Sequence, residues 1–174
     1  AVIVVHGADR NADTYFGTML EAVSAGAGGP GTLVLSPHFQ IPEDAPGADE
    51  ANWSEGGWKR GHLSNPHPLT AARISSYEAV DVVLRLLGDT LRFPRLRRVV
   101  VTGHSAGGQY THRFAATSPA QLELAHLRFR YVVANPSTYL YLGPERALLG
   151  GGFGLPDRAA CLDYNEWHFG LENR

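Results

Sequence analysis

The run Val99-Val100-Val101-Thr102-Gly103-His104-Ser105-Ala106-Gly107-Gly108-Gln109 sets one serine between a short apolar stretch and the start of a helical pattern. Continuous apolar runs of this length read as strands buried on both faces, which is the habit of parallel sheets. Glycine on either side of the apex lets the incoming strand and outgoing helix approach closely, leaving the serine in strained backbone with its oxygen exposed. G-x-S-x-G in this strand-turn-helix context is a nucleophile elbow, and Ser105 is the expected nucleophile. The helix that follows turns its free N–H groups and positive end toward the apex, so the Ala106 N–H is an expected oxyanion donor.

The rest of the chain agrees with a parallel sheet. Val2–Val5, Leu33–Leu35, Val99–Val101 and Tyr131–Ala134 are short apolar runs alternating with helical patterns, the signature of an α/β architecture. A first helix is predicted from about Asn11 to Ala25, with Phe16, Met19, Leu20 and Val23 on its buried face and Gly26 as its stop. A second is predicted from about Ser75 to Leu91. Ser75 and Glu78 have capping-box spacing there, and Tyr77, Val80, Leu84 and Leu87 form a buried stripe. A third follows Ser105 and ends before Pro119. The expected fold class is a three-layer α/β/α domain with a small, mostly parallel central sheet of about four to five strands, spanning 1–174 as one domain.

Two stretches interrupt the alternation. Residues 36–69 carry five prolines and two tryptophans and read as a long functional loop, too punctuated for core. Residues 135–174 are irregular, with Gly150-Gly151-Gly152 as a flexible point. Both leave the C-terminal ends of strands, the side on which open α/β sheets bind ligands. The aromatic side chains Tyr15, Phe39, Trp53 and Trp58 are expected to supply an apolar pocket, with Trp53 and Trp58 as substrate-binding residues.

Charge and cysteine content narrow the function classes. Fifteen basic residues, of which Lys59 is the sole lysine, stand against seventeen acidic ones, so neither nucleic acid nor a membrane is an expected partner. Arg92, Arg95, Arg97 and Arg98 around Phe93-Pro94 read as a solvated connection before a buried strand. Cys161 is alone and can form no intrachain disulfide, which leaves the compartment open. No apolar run approaches the roughly 18 residues of a membrane span. No His-x-x-x-His or His-Glu-x-x-His spacing calls for a metal, and no cofactor is expected.

His6-Gly7 directly follows the first apolar run. With strands ordered 33–35, 2–5, 99–101, 131–134, the winding reverses between the second and third, placing the loop after Val5 beside Ser105. The Ala8 or Asp9 N–H then joins that of Ala106 as the second oxyanion donor. An apolar strand ending in His-Gly, followed by Gly103-His104-Ser105-Ala106-Gly107-Gly108, resembles the α/β-hydrolase superfamily of serine hydrolases. Gly7-Ala8-Asp9-Arg10-Asn11-Ala12, Asn135-Pro136-Ser137-Thr138-Tyr139 and Tyr164-Asn165-Glu166-Trp167 resemble a bacterial and fungal hydrolase group within it. The resemblance spans most of the chain and implies a reduced α/β-hydrolase core.

The resemblance also implies what is different. Members of the superfamily have two strands before the His-Gly strand and two after the last one seen here, with the triad acid and histidine on loops after those final strands. This chain holds the central four, and the acid and base have no matching positions. Two expectations follow: an unusual arrangement, or a chain that is part of a larger enzyme. Three histidines follow Ser105. His112 sits about two turns along the helix, too far to bond Ser105 easily, and His126 lies at the wrong end of its strand. His168, with Asp157 and Asp163 upstream, is the expected base, in an order resembling the compact triads of cutinase-like hydrolases. His104 and His6 are expected to support the elbow and the oxyanion loop, and His38, His62 and His67 to serve packing or surface roles.

The expected activity is cleavage of small-molecule carboxylic esters through an acyl-enzyme on Ser105. Esters are favoured over peptides because an alkoxide leaves more readily than an amine when assistance is poor. The alternative is a non-catalytic hydrolase-fold module for binding or structure. The strands near 33–35 and 131–134 are exposed edges, so a homo-oligomer formed through them is the expected way to cover at least one.

Overall fold

The structure is a computed structural model that describes residues 1–26, 29, 31–67, 69 and 71–173. Pro68, within the 36–69 stretch, and Arg174, within 135–174, lie outside the described residues. Two compact units divide the chain, Ala1–Ser137 and Thr138–Arg174.

The first unit is built on a four-stranded parallel sheet. Strands β1 (Val2–Val5), β2 (Val34–Leu35), β3 (Arg98–His104) and β4 (Arg128–Ala134) take the order β2-β1-β3-β4, as the apolar runs predict. Helix α1 (Ala12–Ala25) connects β1 to β2, α2 (Ser76–Leu87) follows β2, and α3 (Ala106–Thr117) with the short α4 (Ala120–Glu123) joins β3 to β4. Right-handed crossovers that run first one way from β1 and then the other put α1 alone on one face and α2 with α3 on the opposite face. The result is the expected three-layer α/β/α arrangement.

Burial follows from that asymmetry. Val99, Val101 and Gly103 of β3 point toward α2 and α3 and are fully buried, while Val100 and Thr102 point the other way and are half-buried. Helix α1 departs from the predicted buried face: Phe16 is 40 % and Leu20 43 % exposed, with Met19 and Val23 half-buried. Among the described residues of Ala1–Ser137 no second helix packs beside α1 on this face, so its apolar stripe stays partly open.

Helix α2 keeps its predicted stripe, with Tyr77, Val80, Leu84 and Leu87 all buried. Ser75 Oγ accepts the N–H groups of Tyr77 and Glu78 at 3.1 and 3.3 Å. The Glu78 carboxylate is drawn instead to Arg85 at 2.6 Å, which corrects the capping-box expectation to a one-sided cap. The helix ends at Leu87 rather than Leu91 because Asp89 Oδ1 takes the Leu91 N–H at 2.9 Å, a side-chain turn that competes with further helix.

The 36–69 stretch is the largest correction. It contains two short 3₁₀ turns, Pro42–Asp44 and Trp58–Arg60, and delivers Phe39, Ile41, Trp53 and Trp58 into the core. Phe39 stacks on Trp58 with centroids 5.6 Å apart and tilts over Tyr110 of α3 at 4.9 Å. Prolines and glycines fix its turns while its aromatic side chains carry the burial, each worth about 1.5–3 kcal/mol.

The second unit is mostly turns, with one antiparallel pair, β5 (Arg146–Ala147) and β6 (Phe153–Gly154). Arg146 organises it, donating to Tyr164 O, Asn165 Oδ1 and Phe169 O at 2.8, 3.0 and 3.2 Å. Its guanidinium lies 4.0 Å from the centre of the Tyr141 ring. Five polar partners and an aromatic face around one cation replace the apolar core that 37 residues are too few to build.

Candidate active site

Ser105 has φ 56° and ψ −117°, a conformation that non-glycine residues adopt only when the surroundings enforce it. Those surroundings are glycines. A Cβ on Gly103 would overlap the backbone of Gly107, one on Gly107 would overlap the carbonyl oxygens of Val5 and His6, and one on Gly108 would overlap Ala134 O. The elbow therefore closes only because three of its positions lack side chains. Gly108 is a requirement that the five-residue motif does not state.

The ladder does the positioning. Val5 pairs with Gly103 in adjacent parallel strands, so the residues that follow them, His6-Gly7 and His104-Ser105, emerge side by side at the C-terminal end of the two central strands. On the other flank Ser105 N–H donates to Ala134 O at 3.0 Å, and Gln109 Nε2 donates to Ser137 Oγ at 3.0 Å. The serine side chain does not cap α3. Among the described residues of Ala1–Ser137 its Oγ makes no hydrogen bond, and the residue is half-buried at the apex.

Three backbone donors remain unpaired beside it. Among the described residues, the N–H groups of Ala8, Asp9 and Ala106 make no hydrogen bond. Those are the expected oxyanion donors, and an unpaired donor is a free donor for a developing charge. Ala8 and Asp9 are exposed and Ala106 is buried under the elbow.

Two contacts hold the loop that carries Ala8 and Asp9. His6, fully buried, accepts the Phe39 N–H at Nε2 (3.0 Å), so its proton sits on Nδ1, which donates to Gly7 O at 2.8 Å. Burial, more than any charge, lowers its pKa to about 4, and the ring is neutral at ordinary pH. Arg10, itself at φ 56°, donates from Nε and Nη2 to the two Asp44 oxygens at 2.6 and 3.1 Å and from Nη1 to Ala8 O at 3.0 Å. Asp44 also accepts the Ile41 N–H at 2.9 Å. The hydrogen bond from Arg10, more than any other influence, holds the Asp44 carboxyl below the usual range. Arg10 and Asp44 were not among the expected site residues, because nothing local in sequence joins positions 34 apart.

The remaining expected residues fall as follows. Trp58 is 1 % and Trp53 4 % exposed. Trp58 packs 4.7 Å from the His6 ring, and Trp53 packs on Phe39 and donates Nε1 to Ile74 O at 3.2 Å. Both back the site from inside the core. The Tyr15 hydroxyl lies against Gly7, 2.8 Å from where a Cβ would stand. Asn135 Nδ2 lies 3.4 Å from His104 Nε2. His126 contacts Gly88 O at 3.1 Å ahead of β4, at the end of the sheet away from Ser105. His168 belongs to the second unit, where its ring lies 4.2 Å from that of Phe169. Among the described residues no cluster of three or more His, Cys, Asp or Glu is placed to hold a metal, and no helix is long and apolar enough to cross a membrane.

A four-stranded parallel sheet, a positive-φ serine after β3 and a His-Gly turn beside it decide the architecture. The fold is a reduced α/β-hydrolase core. It is similar to the crystal structure of LpqC, a poly(3-hydroxybutyrate) depolymerase from Bordetella parapertussis, with 27 % identity and a TM-score of 0.51. The match covers 88 % of this chain and 47 % of that one, so the chain spans about half the length of that protein. No protein-family model and no curated protein matches the chain.

Proposed function

We propose that this α/β-hydrolase core acts as a serine hydrolase on carboxylic esters. Ser105 Oγ attacks the ester carbonyl, and the Ala106 N–H with that of Ala8 or Asp9 takes the charge that develops on the carbonyl oxygen. The general base takes the Ser105 proton as Oγ bonds the carbonyl carbon, and collapse then breaks the bond to the alcohol, which leaves with that proton; the acyl group left on Ser105 is removed by water. The observation that carries this reading is the positive-φ conformation of Ser105 beside three unpaired N–H groups. The similarity to a protein named as a polyester depolymerase supports esters over amides as the substrate class.

In this reading Trp53 and Trp58 shape the substrate pocket through Phe39 and His6, on which they pack. His168 as general base is a separate element of the proposal. Turnover of short p-nitrophenyl esters tests both: loss on Ser105→Ala supports the nucleophile, and loss on His168→Ala together with loss of phosphonate reactivity at Ser105, at an unchanged melting temperature, supports the base. Absence of turnover in the parent chain sinks the catalytic reading.

One observation favours the alternative, a non-catalytic hydrolase-fold module. Among the described residues of Ala1–Ser137 nothing accepts the Ser105 hydroxyl proton, and a serine without a base is a weak nucleophile.

A further inference from the structure

The end of the sheet opposite Ser105 carries the chain's sharpest charge asymmetry. Arg92, Arg95, Arg97, Arg98 and Arg128 line a single cleft of about 1030 Å³, five of the fifteen basic residues in a chain whose net charge is −2. Among the described residues one carboxylate pairs with them: Asp89, 3.2 Å from Arg92. Arg97 spends Nη1 on the carbonyls of Pro94 and Leu96 at 2.9 and 2.8 Å, which props its guanidinium over the cleft. Arg95, Arg98 and Arg128 have no ion pair among the described residues.

The decisive feature is register. Arg98 and Arg128 are direct partners in the β3–β4 ladder, so their side chains leave the same face of adjacent strands about 5 Å apart. Like charges in that relation are destabilising, and a chain that needed only a solvated connection gains nothing from pairing them. A bridging anion converts the repulsion into two charge-assisted, forked contacts. Exposed Leu33 and half-buried Phe93 line the same cleft, giving it an apolar surface that a bare inorganic ion would not use.

We propose that this cleft binds an organic polyphosphate of the nucleoside di- or triphosphate type, with the phosphates across Arg98 and Arg128 and the apolar body against Phe93 and Leu33. The site is independent of ester cleavage, lying at the other end of β3 from Ser105. It replaces the reading of the arginine run as a plain connection.

Calorimetric titration of the full chain with ADP and with inorganic pyrophosphate tests this. Expected is saturable 1:1 binding of ADP that weakens with added salt, is at least tenfold tighter than that of pyrophosphate, and falls at least tenfold in Arg98→Gln/Arg128→Gln. Melting gives a second readout. Arg128→Gln is expected to raise the ligand-free melting temperature by relieving the like-charge pair, while shrinking the rise that ADP produces in the parent. Arg92→Gln/Arg95→Gln, on the exposed connection, covers the case in which strand variants misfold. No ADP binding at low salt, or binding that survives both double substitutions, overturns the site. Pyrophosphate binding as tightly as ADP overturns the organic ligand.

Discussion

Arg10 grips Asp44 with two forked hydrogen bonds and, with its third nitrogen, the carbonyl of Ala8. One guanidinium thus ties the loop carrying Ala8 and Asp9, the proposed oxyanion donors, to the first 3₁₀ turn of the 36–69 stretch. Both side chains are about four-fifths shielded from solvent, so the pair escapes most of the screening that weakens surface ion pairs. Arg10→Gln and Asp44→Asn are each expected to lower kcat on short esters tenfold or more with a smaller effect on KM, because a donor loosened by an ångström fails the transition state first. A double-mutant cycle on denaturation midpoints should return about 1–3 kcal/mol of coupling. Purely additive effects would show that the clamp does not act as a unit.

The acid limb of stability should report His6. Its pKa of about 4 in the folded chain lies below the roughly 6.5 of an unfolded histidine, so the unfolded chain binds the extra proton between those values and stability falls as pH drops through that window. The loss approaches about 3 kcal/mol at pH 4 and is absent above pH 7. Asp44 adds to it at lower pH, since a carboxyl held below its usual range gives up stability as pH falls through its folded pKa. Urea denaturation from pH 7 to 4 in parent and His6→Gln should show a shallower slope in the variant. Parallel slopes would contradict the neutral, buried His6.

Gly107→Ala should be among the most damaging single substitutions. The added carbon overlaps two backbone carbonyl oxygens of the neighbouring strand, which have no rotamer to move to. A loss of about 3 kcal/mol or more, or failure to fold, is expected by chemical denaturation. Gly17→Ala in α1, where a Cβ meets nothing within 4 Å, should instead be neutral or gain about 1 kcal/mol.

Much of this was legible from sequence, for reasons that also mark its limits. Val2–Val5 is read to its bounds, and the runs at 33–35, 99–101 and 131–134 locate the other strands but not their ends, at Val34–Leu35, Arg98–His104 and Arg128–Ala134, because a parallel strand in the middle of a sheet favours a continuous apolar run; the order expected for them is the one that sets the His-Gly turn beside Ser105. Phe16 and Leu20 mislead because amphipathic spacing shows which face is apolar and not what covers it. Trp53 and Trp58 mislead differently: proline and glycine density describes the backbone of 36–69, whereas burial is decided by its aromatic side chains. The Arg10–Asp44 clamp and the Arg98–Arg128 pairing are tertiary, joining residues by register and loop path, and no local spacing encodes either.

The β4 edge should be sticky. Among the described residues of Ala1–Ser137, β4 pairs with β3 alone, and Val132 and Val133 on it are exposed. Sedimentation velocity is expected to show concentration-dependent self-association that Val132→Lys suppresses, the usual remedy for an open edge. A monomer at all concentrations in the parent would remove this edge as an interface.

The most direct test concerns the strained serine itself. Ser105→Gly should raise stability by about 1 kcal/mol, since glycine relieves the positive-φ cost, while removing the nucleophile. Alongside it, the parent chain treated with a serine-directed phosphonate should gain one adduct, mapped by peptide mass spectrometry to Ser105 and absent from Ser105→Gly and Ser105→Ala. No adduct in the parent, or one that persists in both variants, would contradict a nucleophile facing a pre-formed oxyanion site.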